Sequence, residues 1–219
     1  MLTQIEMVLS KIKAKYSDYE EKLWEISSSI NEKTSGFVFT SSEILQYFYL
    51  LVFDTIKVEE DRIRTEHIEE FSKHLSSSAA PLIEFFDGYL WGQLKINHMS
   101  IIPRRPAMFP IAIYLSSRKL NRYTCEIKKL SSDNIKAIHQ YFILSQFCDW
   151  NTQTMINAFS REAKKAGADN HDFPLDCIKK IATQKNRSDT LYYHQFISQP
   201  WLALKILTPS RYYIFHESK

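Results

Sequence analysis

The feature that most restricts the fold of this chain is a segment near residue 140 that is apolar on almost every helical face. Ser131 and its polar neighbours precede it, and their side-chain oxygens can accept hydrogen bonds from the unpaired amides at a helix start. Ile135, Ile138 and Phe142 then recur at helical spacing, with further apolar residues between them. A helix that is apolar nearly all round has to be enclosed by other elements. We therefore predict that residues 135–150 form the central helix of the C-terminal half.

A heptad pattern governs the N-terminus, where apolar residues recur every three or four positions from Leu2 to Ile30 without a gap. Charged residues occupy many of the remaining positions, so the pattern predicts one long amphipathic helix over residues 2–33. Such a helix needs a partner surface, either within its own domain or on a second chain. For the second case the candidate oligomerisation residues are Leu9, Ile12, Tyr16, Tyr19 and Leu23. The tyrosines at two of these positions disfavour a tight two-stranded zipper.

Residues typical of helix starts and ends occur along nearly the whole chain, whereas the alternation of apolar and polar residues that is typical of strands is scarce. Thr40 and Glu43 have capping-box spacing, Asn151 or Thr152 can cap a later helix, and Pro110 and Pro174 can occupy first helical turns. The chain has only 4 glycines in 219 residues, which disfavours an all-β fold with many tight turns. The predicted fold class is therefore all-α: an irregular multi-helix bundle with a long N-terminal heptad-patterned helix.

Charge is distributed unevenly along the chain. Residues 1–94 contain 9 basic and 16 acidic side chains, a net charge of −7, whereas residues 95–219 contain 19 basic and 9 acidic ones, a net charge of +10. The sign changes at the start of a proline-containing region, residues 97–110. We therefore predict an acidic N-terminal helical subdomain over 1–94 and a basic C-terminal helical subdomain over 95–219. This asymmetry favours either a polyanionic partner or docking of one half on the other.

The densest basic segment, residues 95–130, has eight basic residues and one acidic residue. Pro103 and Pro106 hold a pair of arginines between them, and two tyrosines lie nearby in sequence. Arginines together with aromatic side chains suit phosphate contact and base stacking. The candidate nucleic-acid-binding residues are Lys95, Arg104, Arg105, Arg118, Lys119 and Arg122. The alternatives are a solvated loop and an ion pair with the acidic segment Glu59–Asp61, which would dock the two halves.

No pattern of catalytic or metal-binding residues is recognisable. The sequence lacks the HExxH motif, the nucleophile elbow and the Gly-rich phosphate loop. His67 and His74 could share a helix face, but the inward residues there are apolar, so both are interpreted as surface histidines. His139 is interpreted as a hydrogen-bonded core histidine. We therefore predict no catalytic residue, no metal site and no cofactor, and expect a binding role for this chain, with an enzyme whose site is not recognisable as the alternative.

Three cysteines, Cys125, Cys148 and Cys177, are odd in number and widely spaced. They fit neither a disulfide framework nor a CxxC metal knuckle, and we expect a cytoplasmic protein. The first residues lack the basic and apolar regions of a signal peptide. The most apolar window, Ile44 to Phe53, has about half of the ~20 residues needed to cross a bilayer. We therefore expect no membrane partner.

The order of apolar segments after residue 80 resembles that of a known family. A helix ends in Tyr89-Leu90-Trp91, and a proline-containing loop leads to Ile111-Ala112-Ile113-Tyr114-Leu115. The segments that follow are Tyr141 to Phe147, Asp172-Phe173-Pro174, and Trp201 to Leu207. This order is similar to the helical C-terminal half of GmrSD-type proteins. Members of that family pair a ParB-like nucleotide-hydrolysing domain with a helical region and often an HNH nuclease, and are linked to restriction of modified foreign DNA.

The active-site motifs of that family are missing from this chain. The Asp-Gly-Gln-Gln/His-Arg motif and the His-Ile-x-Pro-type nuclease box do not occur, and Asp149-Trp150-Asn151 stands where many relatives have Arg-Tyr-Ser. The resemblance therefore implies a non-catalytic helical module of a DNA-targeting defence protein, contacting DNA or a partner subunit through its basic C-terminal half. The alternative is a helical protein–protein interaction or oligomerisation module, working as a homodimer or with another subunit through the N-terminal heptad helix.

Overall fold

The computed structural model of the chain describes residues 3–32, 39–77, 79–84, 102, 104–118, 130–148 and 150–185. Within these ranges the regular structure consists of helices. These ranges contain no β-strand, so the predicted all-α class and multi-helix bundle are confirmed. The helices are α1 (Gln4–Lys13), α2 (Tyr19–Glu32), α3 (Ser41–Phe53), α4 (Thr65–Ser77), α5 (Ala79–Glu84), α6 (Phe109–Ser117), α7 (Ser132–Phe147), α8 (Gln153–Ala168) and α9 (Leu175–Gln184). Short 3₁₀ turns, Glu60–Arg62 and Arg105–Met108, precede α4 and α6. None of these helices combines the length and the apolar character that a membrane span requires.

The continuous helix predicted over residues 2–33 is corrected by the structure, which divides it into α1 and α2. α1 begins with a capping box in which the Thr3 hydroxyl accepts from the Glu6 amide and the Glu6 carboxylate accepts from the Thr3 amide. Ser17 and Asp18 follow its end, and side chains of this kind favour helix starts over helix interiors. The backbone carbonyl of Asp18 then accepts the first hydrogen bond of α2. The heptad spacing of apolar residues continues across this break, which is why the pattern alone predicted one helix.

The predicted seam packs against helices of the same chain. Ile12, Tyr19 and Leu23 are almost inaccessible to solvent, and Leu9 and Tyr16 are partly buried against the same core. The Tyr19 hydroxyl also donates to a backbone carbonyl of α4, at 3.3 Å. The outer faces of α1 and α2, rather than the seam, are therefore the surfaces that these helices present to solvent.

α3 is buried on nearly all sides and connects the two halves of the chain. Thr40 and Glu43 form the predicted capping box at its start. The helix ends at Asp54, whose backbone is left-handed with φ of 51°. A buried hydroxyl needs a hydrogen-bond partner, and that of Tyr47 donates to the Ala112 carbonyl of α6 at 3.3 Å. This bond joins α3 to the centre of the C-terminal half.

α6 is the centre of the C-terminal half, because every residue from Phe109 to Leu115 is buried. α8 crosses it closely at Gly167. A Cβ atom at this position would lie 2.6 Å from Tyr114 O and 2.9 Å from Ser117 Cβ. Real Cβ atoms do not approach other atoms this closely, so only glycine fits at the crossing.

The helix predicted to be central forms as α7, with its predicted cap: Ser131 Oγ accepts from the Asn134 amide at 3.1 Å. Ile138 and Phe142 are buried as expected. Lys136 is exposed, however, and Ile135 is only partly buried. Among the described helices of the C-terminal half the enclosed one is therefore α6, and α7 lies beside it. The sequence predicts a helix at Pro110 but not its central position, because its apolar run is short and follows three prolines.

The subdomain boundary predicted near residue 95 lies outside the described residues. Helices on both sides of it share one hydrophobic core, which includes residues of α1 and of α9. Polar contacts between α3 and α8 reinforce that core. Ile56 N donates to Asn157 Oδ1 at 2.9 Å, and Lys164 Nζ donates to Asp54 Oδ1 at 2.9 Å. The two predicted subdomains thus make direct contact through both apolar and polar side chains.

Candidate nucleic-acid interface

The three predicted basic residues that the structure describes do not form one cluster. The other three, Lys95, Lys119 and Arg122, lie outside the described residues. Arg104 and Arg105 lie just before α6, and Arg118 lies just after it. The rise of the intervening helical turns separates the two ends by roughly 15–20 Å. The described arginines therefore occupy two separate sites.

Arg105 is held by an ion pair that docks the arginine loop on the N-terminal half. Its Nη1 donates to Glu43 Oε1 at 2.8 Å, and the Glu43 side chain is only 22% exposed. The other carboxylate oxygen of Glu43 accepts from the Thr40 amide and closes the start of α3. Docking on the acidic segment Glu59–Asp61, one of the sequence-based alternatives, is corrected: the acid involved is Glu43. Arg105 is thus engaged in holding the fold together.

Arg104 is fixed through its backbone. Its amide donates to Gln146 Oε1 at 3.1 Å, and Gln146 Nε2 donates to the Arg104 carbonyl at 3.3 Å. This two-way bond attaches the loop to α7. The Nη1 atom of Arg104 is inaccessible to solvent and has no hydrogen-bond partner among the described residues. A buried donor without a partner lowers stability.

Arg118 belongs to a polar cluster around Tyr114. Arg118 Nη1 donates to the Tyr114 hydroxyl and, at 3.0 Å, to the His171 carbonyl. The Tyr114 hydroxyl itself donates to the His171 carbonyl at 2.8 Å and accepts from Asn134 Nδ2 at 2.6 Å. Asn134 is buried, and its Oδ1 accepts from the Phe173 amide at 3.0 Å. The cluster joins α6, α7 and the segment before α9, so Arg118 is a structural side chain.

Three exposed basic residues that are not among the sequence-based candidates lie on α8 and α9. Arg161 and Lys165 are one turn apart, so they share a face of α8. Lys165 and Lys180 of α9 each offset part of the rise in the pKa of Cys177, so each lies within electrostatic range of that thiol. Within the described residues none of the three is in an ion pair. We name Arg161, Lys165 and Lys180 the α8–α9 surface.

Glu162, the acidic residue next to Arg161 on α8, interacts with the Cys177 thiol. Cys177 Sγ donates to Glu162 Oε2 at 3.5 Å. Burial is the largest cause of the raised pKa of Cys177, followed by the Glu162 carboxylate, and the two lysines offset only part of it. The thiol is therefore protonated at neutral pH and unsuited to nucleophilic catalysis.

A shallow groove of about 290 Å³ opens beside this surface, where α7 and α9 begin. Its lining combines the apolar side chains Phe173 and Leu175 with Asp133 and Asp176. The Asp133 carboxylate lies 3.6 Å from Lys136 Nζ, so part of the negative charge is neutralised. In the described ranges no group of three or more His, Cys, Asp and Glu side chains is arranged to hold a metal ion.

The two histidines of α4 have structural contacts. His67 Nδ1 accepts from the Arg64 amide at 3.2 Å at the start of the helix. His74 stacks on Phe48, with ring centroids 6.4 Å apart. Burial and, to a smaller extent, the charge of Lys164 lower the pKa of His74 to about 4. His74 is therefore a neutral, partly buried side chain at pH 7, which corrects its interpretation as a surface histidine.

Comparison of the chain with protein-family models, with curated proteins and with solved structures finds no match. The function therefore has to be inferred from the chemistry of the chain itself. On α8 and α9, Arg161, Lys165 and Lys180 are exposed cations that have no ion pair within the described residues.

Proposed function

We propose that this chain is a non-catalytic helical module of a DNA-targeting defence protein of the restriction type, and that it contacts DNA through the α8–α9 surface. The observation that carries the proposal is that Arg161 and Lys165 share an exposed face of α8, that Lys180 is exposed on α9 within electrostatic range of the same thiol as Lys165, and that none of the three is in an ion pair within the described residues. The resemblance to GmrSD-type proteins supports the biological setting. The net charge of +10 over residues 95–219 supports the sign of the partner.

The three cations of the α8–α9 surface have no ion pair within the described residues, so their charge is available to a ligand. In the N-terminal half, lysines such as Lys13 and Lys22 already have a carboxylate partner. A cation without a partner gains more when it meets a phosphate, because no existing ion pair has to be broken. Each such contact also releases condensed counterions from the DNA, which makes binding strongly salt-dependent. Phosphate contacts of this kind position the protein and do not read the base sequence.

In this proposal the paired-arginine loop has a divided role. Arg105 and Arg118 maintain the fold through Glu43 and the Tyr114 cluster, whereas Arg104 Nη1 has no hydrogen-bond partner among the residues that the structure describes. Lys95, Lys119 and Arg122 remain candidate DNA contacts from the sequence. The proposed DNA interface is thus the α8–α9 surface, and it includes any of Lys95, Lys119 and Arg122 that lies next to it.

The test is a fluorescence-anisotropy titration of a labelled DNA duplex at several salt concentrations. A variant with Arg161→Ala, Lys165→Ala and Lys180→Ala should flatten the log–log salt slope by about 2–3 units, since each phosphate contact contributes about 0.9. The matched control, with Lys13→Ala, Lys22→Ala and Lys57→Ala, removes the same charge from residues that already have carboxylate partners. Its slope should change by less than about one unit. No binding at low salt, or equal slopes for the two variants, would overturn the proposal.

An interaction module working through the N-terminal helices is the second candidate. The seam residues pack in the core of the chain, so a partner would bind the outer face of α2 instead. Trp24 favours it, because its side chain is 64% exposed on that face. An Ala substitution at Trp24 that abolished binding of a partner without altering the melting temperature would support this function.

A further inference from the structure

The outer face of α2 carries the one large hydrophobic side chain that is exposed in the described part of the chain, Trp24 at 64%. Tryptophan is highly buried on average, and it dominates the energetics of interfaces. The opposite face of the same helix is buried, since Tyr19, Leu23 and Ile30 pack into the core. Trp24 is therefore not needed for the packing of α2.

Acidic side chains surround this tryptophan. Glu21 lies one turn before Trp24 and Glu25 directly follows it, and both are exposed. Neither is in an ion pair within the described residues, whereas their neighbours Glu20 and Lys22 pair with Lys13 and Asp18 respectively. Glu21 and Glu25 are also four residues apart, a spacing at which like charges repel on a helix. Asp18 and, to a smaller extent, Glu25 raise the pKa of Lys22, and Lys22 is in an ion pair with Asp18.

The chemistry of this face points to a cationic partner. Tryptophan is the best aromatic acceptor for a cation–π contact, and a guanidinium over an indole can at the same time donate to flanking carboxylates. The two glutamates would repel DNA and the surface of an anionic membrane. An apolar partner would leave both carboxylates without a counter-charge.

We propose that Glu21, Trp24 and Glu25 form a docking site for an arginine- or lysine-containing segment of a partner protein. One cationic side chain stacks on the indole ring of Trp24, and the two carboxylates hold it or the next basic residue. The site is on the acidic half of the chain, separate from the α8–α9 surface, so it does not depend on the DNA-binding proposal.

The probe is a fluorescently labelled synthetic peptide of alternating arginine and glycine, titrated against the full chain by anisotropy at low and at physiological salt. Binding should weaken by about three- to fivefold in Trp24→Ala, the loss expected for an exposed cation–π contact. The double variant Glu21→Gln, Glu25→Gln should weaken binding and reduce its salt dependence. The melting temperature of each variant should match that of the unaltered chain, since all three side chains are exposed.

The control is a second pair of exposed glutamates with the same spacing but without a tryptophan, Glu66 and Glu70 of α4. Their replacement by Gln should leave the affinity for the peptide within about twofold. An equal loss in this control, or unchanged binding in Trp24→Ala, would show nonspecific attraction to acids and overturn the proposal. Absence of peptide binding at low salt would also overturn it. So would a concentration-dependent dimer, seen by sedimentation, that Trp24→Ala abolishes, because a second copy would then occupy the site.

Discussion

The N-terminal helices α1–α4 and the C-terminal helices α6–α9 use charge in different ways. In the first region, ion pairs at the surface connect neighbouring elements, as between Lys15 and Glu69 at 2.8 Å and between Lys11 and Glu60. In the second region, a buried polar cluster around Tyr114 connects the helices. Lys136 and Lys164 are in ion pairs there, whereas Arg161, Lys165 and Lys180 are exposed and have no ion pair within the described residues. The ion pairs of the first region thus connect elements of its own fold, while we propose that these three cations of the second region bind a ligand.

The magnitudes of these interactions differ as well. Exposed ion pairs contribute about 0–1 kcal/mol each and weaken with salt, so they do not determine whether α1 and α2 fold. Burial of Ile12, Tyr19 and Leu23 contributes about 1.5–3 kcal/mol for each side chain of this size. The N-terminal region is therefore stabilised by its core, and its ion pairs mainly neutralise charge.

The largest expected effect tests this account of the N-terminal region. Ile12→Asp places a carboxylate at a position with 0% exposure, so the free energy of unfolding of the monomer should fall by about 2–5 kcal/mol. Chemical denaturation with sedimentation as a second measurement checks it. Lys11→Ala, which removes an exposed ion pair next to it in sequence, is the control and should cost less than about 1 kcal/mol. A dimer that dissociates in Ile12→Asp, with unchanged stability of the monomer, would show that the seam joins two chains.

A smaller effect sharpens the account of the C-terminal region. Tyr114→Phe removes the hydroxyl that accepts from Asn134 and donates to the His171 carbonyl. The buried Asn134 amide then loses a partner, so the chain should be destabilised by about 1–3 kcal/mol. Tyr16→Phe is the matched control in the N-terminal region, since Tyr16 is only partly buried, and it should change stability by less than about 0.5 kcal/mol. Equal losses in the two variants would remove the distinction between the regions.

The pH dependence of stability probes the contact between the regions, where His74 of α4 faces Lys164 of α8. Burial lowers the pKa of His74 from 6.5 to about 4 in the folded chain, so the unfolded chain takes up this proton at a higher pH. Above pH 6.5 His74 is neutral in both states, and the chain keeps its full free energy of unfolding. This free energy decreases as the pH falls toward 4, by about 2 kcal/mol between pH 7 and pH 5. Denaturant titrations at these two pH values should show a smaller loss in His74→Gln. His171→Gln, at an exposed site, should behave like the unaltered chain, and an identical loss in all three proteins would contradict the assignment to His74.

Local signals in the sequence predicted the all-α class and the helix starts at Thr40, Ser131 and Thr152, because a cap depends on residues three positions apart. The break between α1 and α2 was missed, since the heptad spacing continues through Ser17 and Asp18. Enclosure depends on contacts distant in sequence, so the sequence did not identify α6 as the enclosed helix.

The candidate site was predicted less well than the fold, for a related reason. A cluster of basic residues in sequence does not reveal which of them meets a carboxylate, and Arg105 meets Glu43, 62 positions away. Arg161 and Lys165 were overlooked because basic residues were weighed by their density along the chain. Their helical spacing, read on an amphipathic α8, would have placed them on one exposed face.

The most direct test of the central claim compares the two regions in one sample. Lysine acetylation with a water-soluble ester, followed by mass spectrometry, reports the accessibility of each lysine with and without a DNA duplex. The account predicts that DNA protects Lys165 and Lys180, whereas Lys13, Lys22 and Lys57 react equally in both conditions. Protection of the three N-terminal lysines, or no protection of Lys165 and Lys180 at a DNA concentration that saturates binding, would contradict it.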